Sequence, residues 1–247
     1  MMKSWYEDKQ LWAKAEPLIF NRNSFYAAEE EIPQLEKITQ LKPGDKILDL
    51  CCGPGRHSIP LAEKGYQVTA VDLTKAYLNS LVEKAKEKKL DIEIIHANML
   101  NYRQENTFEL VINMFTSFGY LDSVAENMTV LQNIYDSLKT GGSFLLQTVS
   151  KEYFQNKEDT LKTSCKEEQF HFEETTRITC AGEKAHNIWK LDFQGRKSEI
   201  EFEHFIYSGL ELEESLLSIG FKEIIFYEEG MKSHIKNPEL ITLRAIK

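Results

Sequence analysis

The 247-residue sequence predicts an α/β fold, a parallel sheet with helices on both faces. Three observations predict it. Short apolar runs alternate with longer patterns of helical period between residues 46 and 149. Those runs do not alternate polar with apolar, as expected of strands buried on both sides. From about residue 168 the texture changes to alternation, the mark of an antiparallel meander with one wet face.

The elements follow in order. The first 40 residues read as helical, with Trp5, Trp12, Phe20, Phe25 and Tyr26 as a scattered aromatic set. They either pack on the sheet or form a lid over its ligand end, where strand C-termini lie. Strands are expected at 46–51 (KILDLC), 67–72 (QVTAVD), 92–97 (IEIIHA), 108–114 (FELVINM) and 143–149 (SFLLQTV). Leu78, Leu81, Val82 and Ala85 mark one helix face, and Met128, Leu131, Tyr135 and Leu138 another. The second helix opens on a capping pattern, Ser123 to Glu126, and Gly141 is its natural stop. Segments 168–180, 185–193 and 198–207 form the meander, with turns at 181–183 and 194–196. Ser208 to Glu211 is a second capping box, opening a helix that ends at Gly220. Strands near 222–228 and 240–246 close the fold.

Composition narrows the function. With 42% hydrophobic residues the chain can bury a full core, and its length suits one large domain. The net charge of −9 counts against coating nucleic acid, which needs Lys and Arg on phosphates. No apolar run is long enough to span a membrane, and the first residues lack the apolar stretch of a secretory signal. The four cysteines make no C-x-x-C pair, so no metal site is expected, and reduced thiols in a cytoplasm are. Adjacent Cys51 and Cys52 read as small residues closing a strand. The run Glu83 to Lys89 reads as a solvated helix face.

The strongest chemical signal is Ile47 to Ser58, a strand entering a glycine-containing turn and then a helix. Gly53 and Gly55 let backbone approach a ligand without a Cβ clash. Ser58 stands where a dinucleotide fingerprint needs a third glycine, so the turn suits a ligand without a pyrophosphate. Asp72 ends the next strand, 17 residues after Gly55, placed to accept hydrogen bonds from ribose hydroxyls. Its plain alternative is a helix N-cap, a role Thr74 can fill. Asn98, after the third strand, can both donate to and accept from an adenine edge, although Asn is also an ordinary turn residue. Residues 113–120 (NMFTSFGY) leave the fourth strand with small polar and aromatic groups where a reacting molecule would lie. Together these describe a nucleoside ligand lacking a diphosphate, and S-adenosylmethionine fits.

Here the chain resembles the class I S-adenosylmethionine-dependent methyltransferases, most closely the bacterial small-molecule branch that includes sugar N,N-dimethyltransferases. Besides the turn, Asp72 and Asn98, the resemblance rests on Tyr26-Ala27-Ala28-Glu29 and on the loop Met114 to Tyr120. It implies a Rossmann-like seven-stranded mixed sheet of order 3-2-1-4-5-7-6 with an antiparallel last strand, in a single domain 1–247. Within that domain it implies a helical cap at 1–40, a cofactor-binding core at 41–150, an antiparallel insertion at 165–207, and a closing helix and strands at 208–247. It implies S-adenosyl-L-methionine as cofactor and S-adenosyl-L-homocysteine as product. Around them it places Tyr26, Cys51, Gly53, Gly55, Asp72, Leu73, Asn98, Met99 and Asn113. The sequence departs from the pattern at Cys51, where glycine is usual, at Asn98, where an acid is usual, and at Tyr120, where the branch often has His.

Methyl transfer needs an aligned nucleophile in a water-poor site. Tyr120 is the first candidate for orienting it and Tyr6 the second; each could equally be a packing aromatic. His57 reads as support for the glycine turn, and His204 as either substrate-facing or packing. The expected acceptor is a small molecule, with an amine among its candidate nucleophiles. The alternatives are an RNA or protein acceptor, and a protein that binds the nucleoside without turnover.

Overall fold

The computed structural model describes residues 4–155, 160–167, 170–227 and 240–247. The side chains of 155, 160–163 and 165–170 lie outside the description, so Cys165, the start of the meander at 168–169 and the strand end at 228 do too.

Seven strands form one sheet. They are β1 (Lys46–Leu50), β2 (Gln67–Asp72), β3 (Ile92–His96), β4 (Phe108–Asn113), β5 (Leu138–Val149), β10 (Glu223–Phe226) and β11 (Leu240–Ile246), in the order β10-β11-β5-β4-β1-β2-β3. β1 to β5 are parallel neighbours, while β11 runs antiparallel to both β5 and β10. This is the expected order, with β10 and β11 as its sixth and seventh strands. Alternate residues of each central strand feed opposite cores. Leu48, Leu50, Val111 and Leu146 face α5 (Val124–Ser137) and α7 (Gly209–Ile219). Ile47, Leu110, Ile112 and Leu145 face α2 (Arg22–Thr39) and α3 (Ser58–Glu63). Each such side chain, taken fully out of water, contributes about 1.5–3 kcal/mol. That two-sided burial is why the strands read as unbroken apolar runs. The helix α4 (Lys75–Lys88) covers β2 and β3 through Leu78, Leu81 and Ala85.

The N-terminal segment does both things the sequence allowed. Ile32 and Leu35 of α2 are buried on the sheet, whereas α1 (Lys9–Ile19) packs on the antiparallel insertion. Leu11 and Ala15 of α1 meet Leu191, Ile200 and Phe202 in a small core of their own. The polypeptide therefore roofs one end of the sheet with an α1–insertion layer.

The insertion is larger than the meander expected at 165–207. It holds four strands, β6 (Thr160–Glu167), β7 (Phe170–Thr179), β8 (Lys184–Phe193) and β9 (Arg196–Phe205), paired antiparallel in sequence order. A short helix, α6 (Lys151–Gln155), leads into it. The Gln194–Gly195 turn joins β8 to β9 with φ of 53° and 80°, the pair of positive values that matches strand twist. A second correction concerns α5. It ends at Ser137, and Gly141, expected as its stop, lies inside β5 with φ 79°. The excess of β5 residues is absorbed opposite Phe108 and Leu110, where the register shifts.

Candidate active site

The site is assembled where β1, β2, β3 and β4 end. β1 passes into a tight turn in which Cys51, Gly53 and Gly55 all have positive φ, of 64°, 55° and 85°. Cys51 is the strained member, since a Cβ at such φ costs about 1–2 kcal/mol. Beyond β4, Phe115 and Thr116 are also left-handed, with φ of 67° and 69°. Three non-glycine residues held in a disfavoured conformation thus converge on one sheet edge.

The buried Asp72 carboxylate clasps this turn. Its Oδ2 accepts from the Gly53 N–H at 2.8 Å, and its Oδ1 accepts from the Thr74 N–H at 2.6 Å. Burial pushes its carboxyl above the usual range, and the two backbone N–H groups pull the other way. Each oxygen keeps further lone-pair capacity. The sequence offered two readings of Asp72, and the carboxylate both caps the chain after β2 and faces the cavity.

Asn98 Oδ1 accepts from the Leu100 N–H at 2.9 Å, which caps a helical turn at Met99–Asn101. That bond uses one lone pair of the amide oxygen and fixes the side chain's orientation, while the amide N–H groups keep their capacity to donate. Leu73 is fixed by His96 Nε2, 2.8 Å from its carbonyl oxygen. Leu73 and Met99 line the cavity as apolar walls, and Cys51 Sγ lies 3.5 Å from Met99 Sδ.

Below the turn lies a buried ionic cluster. His57 Nε2 sits 2.8 Å from Glu31 Oε2 of α2, and Ser58 Oγ donates to Asp49 Oδ2 at 2.5 Å. Burial would raise the Glu31 carboxyl, but the bond and charge of His57 outweigh it and the net direction is down. His57 therefore ties α2 to the turn. Arg56 Nη1 donates to the Ser24 carbonyl, and its guanidinium lies 4.4 Å from the Phe115 ring centre. Arg56 Nη2 is sealed from solvent and has no hydrogen-bond partner among the described residues.

The roof supplies the other wall. Trp12 Nε1 donates to the Tyr6 carbonyl at 2.6 Å, and Tyr77 Oη donates to the Trp12 carbonyl at 2.8 Å. Tyr120 lies among Trp5, Trp12 and His204, with ring centres 4.8, 6.0 and 5.8 Å away. Tyr120 is half-buried and lines the cavity, and burial pushes its hydroxyl up to about 12. Tyr6 also lines the cavity, but its hydroxyl lies 3.4 Å from Asp122 Oδ2.

The cavity measures about 380 Å³, within the range of small-molecule sites. Of the residues the sequence singled out, Cys51, Gly53, Asp72, Leu73, Asn98, Met99, Tyr120 and Tyr6 border it. Three do not. Gly55 is packed against Leu81, where a Cβ would collide. Asn113 is buried with Nδ2 donating to the Leu50 carbonyl at 3.0 Å, holding the β1 and β4 tips together. Tyr26 is 57% exposed. It precedes the buried Ala28 by two positions, about 200° around α2, so it sits on the face opposite the buried one. Tyr26 thus stands outside the residues that border this space.

Sequence reasoning missed Arg56 and Tyr77, named Phe20 only within the aromatic set of the cap, and of the insertion's inner face named only His204. Arg56 carried a signal, being a charged residue inside a turn of otherwise small and apolar residues. Tyr77 carried none, because an aromatic residue at helical spacing looks like ordinary packing.

Residues 47–142, which hold the turn and all four strand tips, match the methyltransferase domain family. Relatives by sequence include other methyltransferases. A demethylmenaquinone methyltransferase of Geobacillus sp. (strain WCH70) is 34% identical over 120 residues, covering 47% of this chain and 50% of that one. The chain spans about half the length of the curated relatives it matches. Likeness of fold extends further. An S-adenosylmethionine-dependent methyltransferase from Clostridium acetobutylicum ATCC 824 superposes with a TM-score of 0.75 at 17% identity, covering 96% of this chain and 97% of that one. The sugar N-methyltransferase KedS8 from Streptoalloteichus sp ATCC 53650 gives 0.69 at 16% identity, covering 100% and 95%. The likeness of fold to these two structures therefore runs over nearly the whole of this chain.

Proposed function

We propose that the chain transfers a methyl group from S-adenosylmethionine to a small-molecule acceptor, at an amine nitrogen, with residues 1–247 acting as one unit. The observation that carries this reading is the clasp of Asp72 on Gly53 at the mouth of a cavity walled by cap and insertion. The residues fit the cofactor. The free lone pairs of Asp72 suit ribose hydroxyls, and Leu73 and Met99 suit the faces of an adenine. The Asn98 amide suits a ring nitrogen. Arg56 Nη2, buried and unpartnered beside the turn, suits the carboxylate of the amino-acid tail. Cys51 gives the turn a small side chain, while Gly55 and Asn113 shape it from behind.

The bound cofactor supplies an electrophilic methyl group on a sulfonium. The chain's own residues enclose, align and exclude water. Tyr120 stands between the glycine turn and the roof, positioned to orient a nucleophile by its hydroxyl. Neither Tyr120 nor His204 is set to take a proton at neutral pH, since burial holds the tyrosine at about 12 and the histidine at about 4. A neutral amine needs no such base, which favours it over a hydroxyl. A sugar N-methyltransferase stands among the structural neighbours and a demethylmenaquinone methyltransferase among the sequence relatives, which supports a small-molecule acceptor. The three described cysteines are free thiols, which supports a cytoplasmic setting, and no described helix is long and apolar enough to cross a membrane.

Calorimetry with S-adenosylhomocysteine tests the reading. The native protein should bind it, and Asp72→Ala should weaken binding at least tenfold while leaving the fold intact by circular dichroism. Absence of heat with the native protein overturns the proposal.

A further inference from the structure

The inner face of the insertion carries three buried polar side chains joined by hydrogen bonds. Thr176 on β7 lies opposite Asn187 on β8, and Thr176 Oγ1 donates to Asn187 Oδ1 at 2.8 Å. Asn187 Nδ2 is 3.3 Å from the Ala185 carbonyl oxygen and 3.1 Å from His204 Nδ1 on β9. A carbonyl oxygen only accepts, so the atom facing Ala185 must be the amide nitrogen; the reversed amide would set two oxygens against each other. That nitrogen has only protons to offer. His204 Nδ1 must therefore hold a lone pair, and the neutral imidazole keeps its proton on Nε2.

All three residues are less than 8% exposed, so bulk water does not compete for these bonds. His204 stacks on Phe202, with ring centres 5.9 Å apart, and meets Tyr120 edge-on. Its Nε2 bonds to no described residue. Nor is it one of the sealed, unpartnered atoms, which are Arg56 Nη2, Asn113 Oδ1, Asn127 Oδ1 and Tyr207 Oη. The Nε2–H group therefore opens on the cavity that His204 lines. The charged neighbour on β9, Glu203, is engaged by Thr179 and Lys184. Burial holds the imidazole uncharged, and taking up a proton at Nδ1 would break the bond from Asn187.

We propose that His204 is a fixed hydrogen-bond donor to the methyl acceptor, and that the acceptor is a ring-sized molecule carrying an oxygen acceptor beside its amine. Tyr120 links the two halves of this arrangement, with the glycine turn on one side and His204 on the other. Trp12, Trp189 and Phe202 offer apolar faces to the ring of such a molecule. Thr176 and Asn187 are positioning residues that act through His204. The identity of the ligand rests on the methyl-transfer reading; the protonation state of His204 does not.

Two measurements test it. In protein labelled with ¹⁵N-histidine, two-bond ¹H–¹⁵N spectra at neutral pH should show His204 protonated at Nε2 alone, with His204→Phe assigning the signal. Asn187→Asp should move the proton to Nδ1, because a carboxylate there accepts. Next, trans-2-aminocyclohexanol and cyclohexylamine are compared as ligands of the protein saturated with S-adenosylhomocysteine. The oxygen-bearing amine should bind about tenfold more tightly, as one hydrogen bond allows. His204→Gln, which keeps a donor, should preserve most of that preference, and His204→Phe should abolish it. An imidazole charged or protonated at Nδ1 in the native protein, or equal binding of the two amines, overturns the proposal. Failure of S-adenosylhomocysteine to bind defeats the methyl-transfer reading alone, and the histidine spectrum still decides the donor assignment.

Discussion

Gly53 and Gly55 share a turn but not a job. A Cβ on Gly53 would stand 2.6 Å from the far end of the Phe20 ring, which can swing aside. A Cβ on Gly55 would strike Leu81, which is wholly buried and has nowhere to go. Both carry positive φ, which costs an alanine about 1 kcal/mol before any clash. Gly53→Ala should therefore destabilise the fold by about 1–2 kcal/mol, and Gly55→Ala by about 2–4 kcal/mol because the buried leucine must be overpacked. Denaturant unfolding of the two variants checks the order; equal losses would contradict the distinct environments. The sequence could mark both positions as glycines that matter. It could not say that one meets the roof and the other a helix, because that depends on residues 20 and 81, brought in from elsewhere in the chain.

At the level of elements, what was legible was local. The capping box at Ser208 to Glu211 forms with both reciprocal bonds, Ser208 N–H to Glu211 at 2.7 Å and Glu211 N–H to Ser208 Oγ at 3.1 Å. Ser208→Ala should cost about 1 kcal/mol, read as a lower unfolding midpoint at unchanged slope. The α5 stop was misplaced at Gly141 because a glycine that bulges a strand and one that ends a helix look alike in sequence. Strand β6 was overlooked for a similar reason. Thr160 to Glu167 mixes polar and apolar residues without clear alternation, and only pairing with β7 makes it a strand. Of the site, the motifs on β1 and β2 were readable since each lies within one strand–turn unit. The Thr176–Asn187–His204 chain was not, as its members come from three strands whose register no single stretch of sequence reveals.

The whole molecule divides into a sheet with cores on both faces and a roof with a core of its own, and a buried histidine belongs to the second. That histidine makes the stability of the entire chain depend on pH. Burial lowers His204 from the usual 6.5 to about 4, so folding requires the neutral ring. A group whose folded pKa is depressed stabilises fully above its unfolded pKa and loses that contribution as pH falls. The loss here runs from about pH 6.5 down to about 4, and it amounts to about 3 kcal/mol at most. Buried Asp49 and Asp72 have raised pKa values and act in the opposite sense, so the comparison must be with a His204 variant. Unfolding free energies of the native protein and His204→Gln, taken between pH 7 and 4, should converge as acid is added. Parallel curves would show that the imidazole is not held neutral.

Phe20, at the elbow between α1 and α2, touches the same glycine whose N–H Asp72 holds. Cap and core thus meet at a single residue, so a side chain changed at position 20 is felt at the turn that Asp72 fastens.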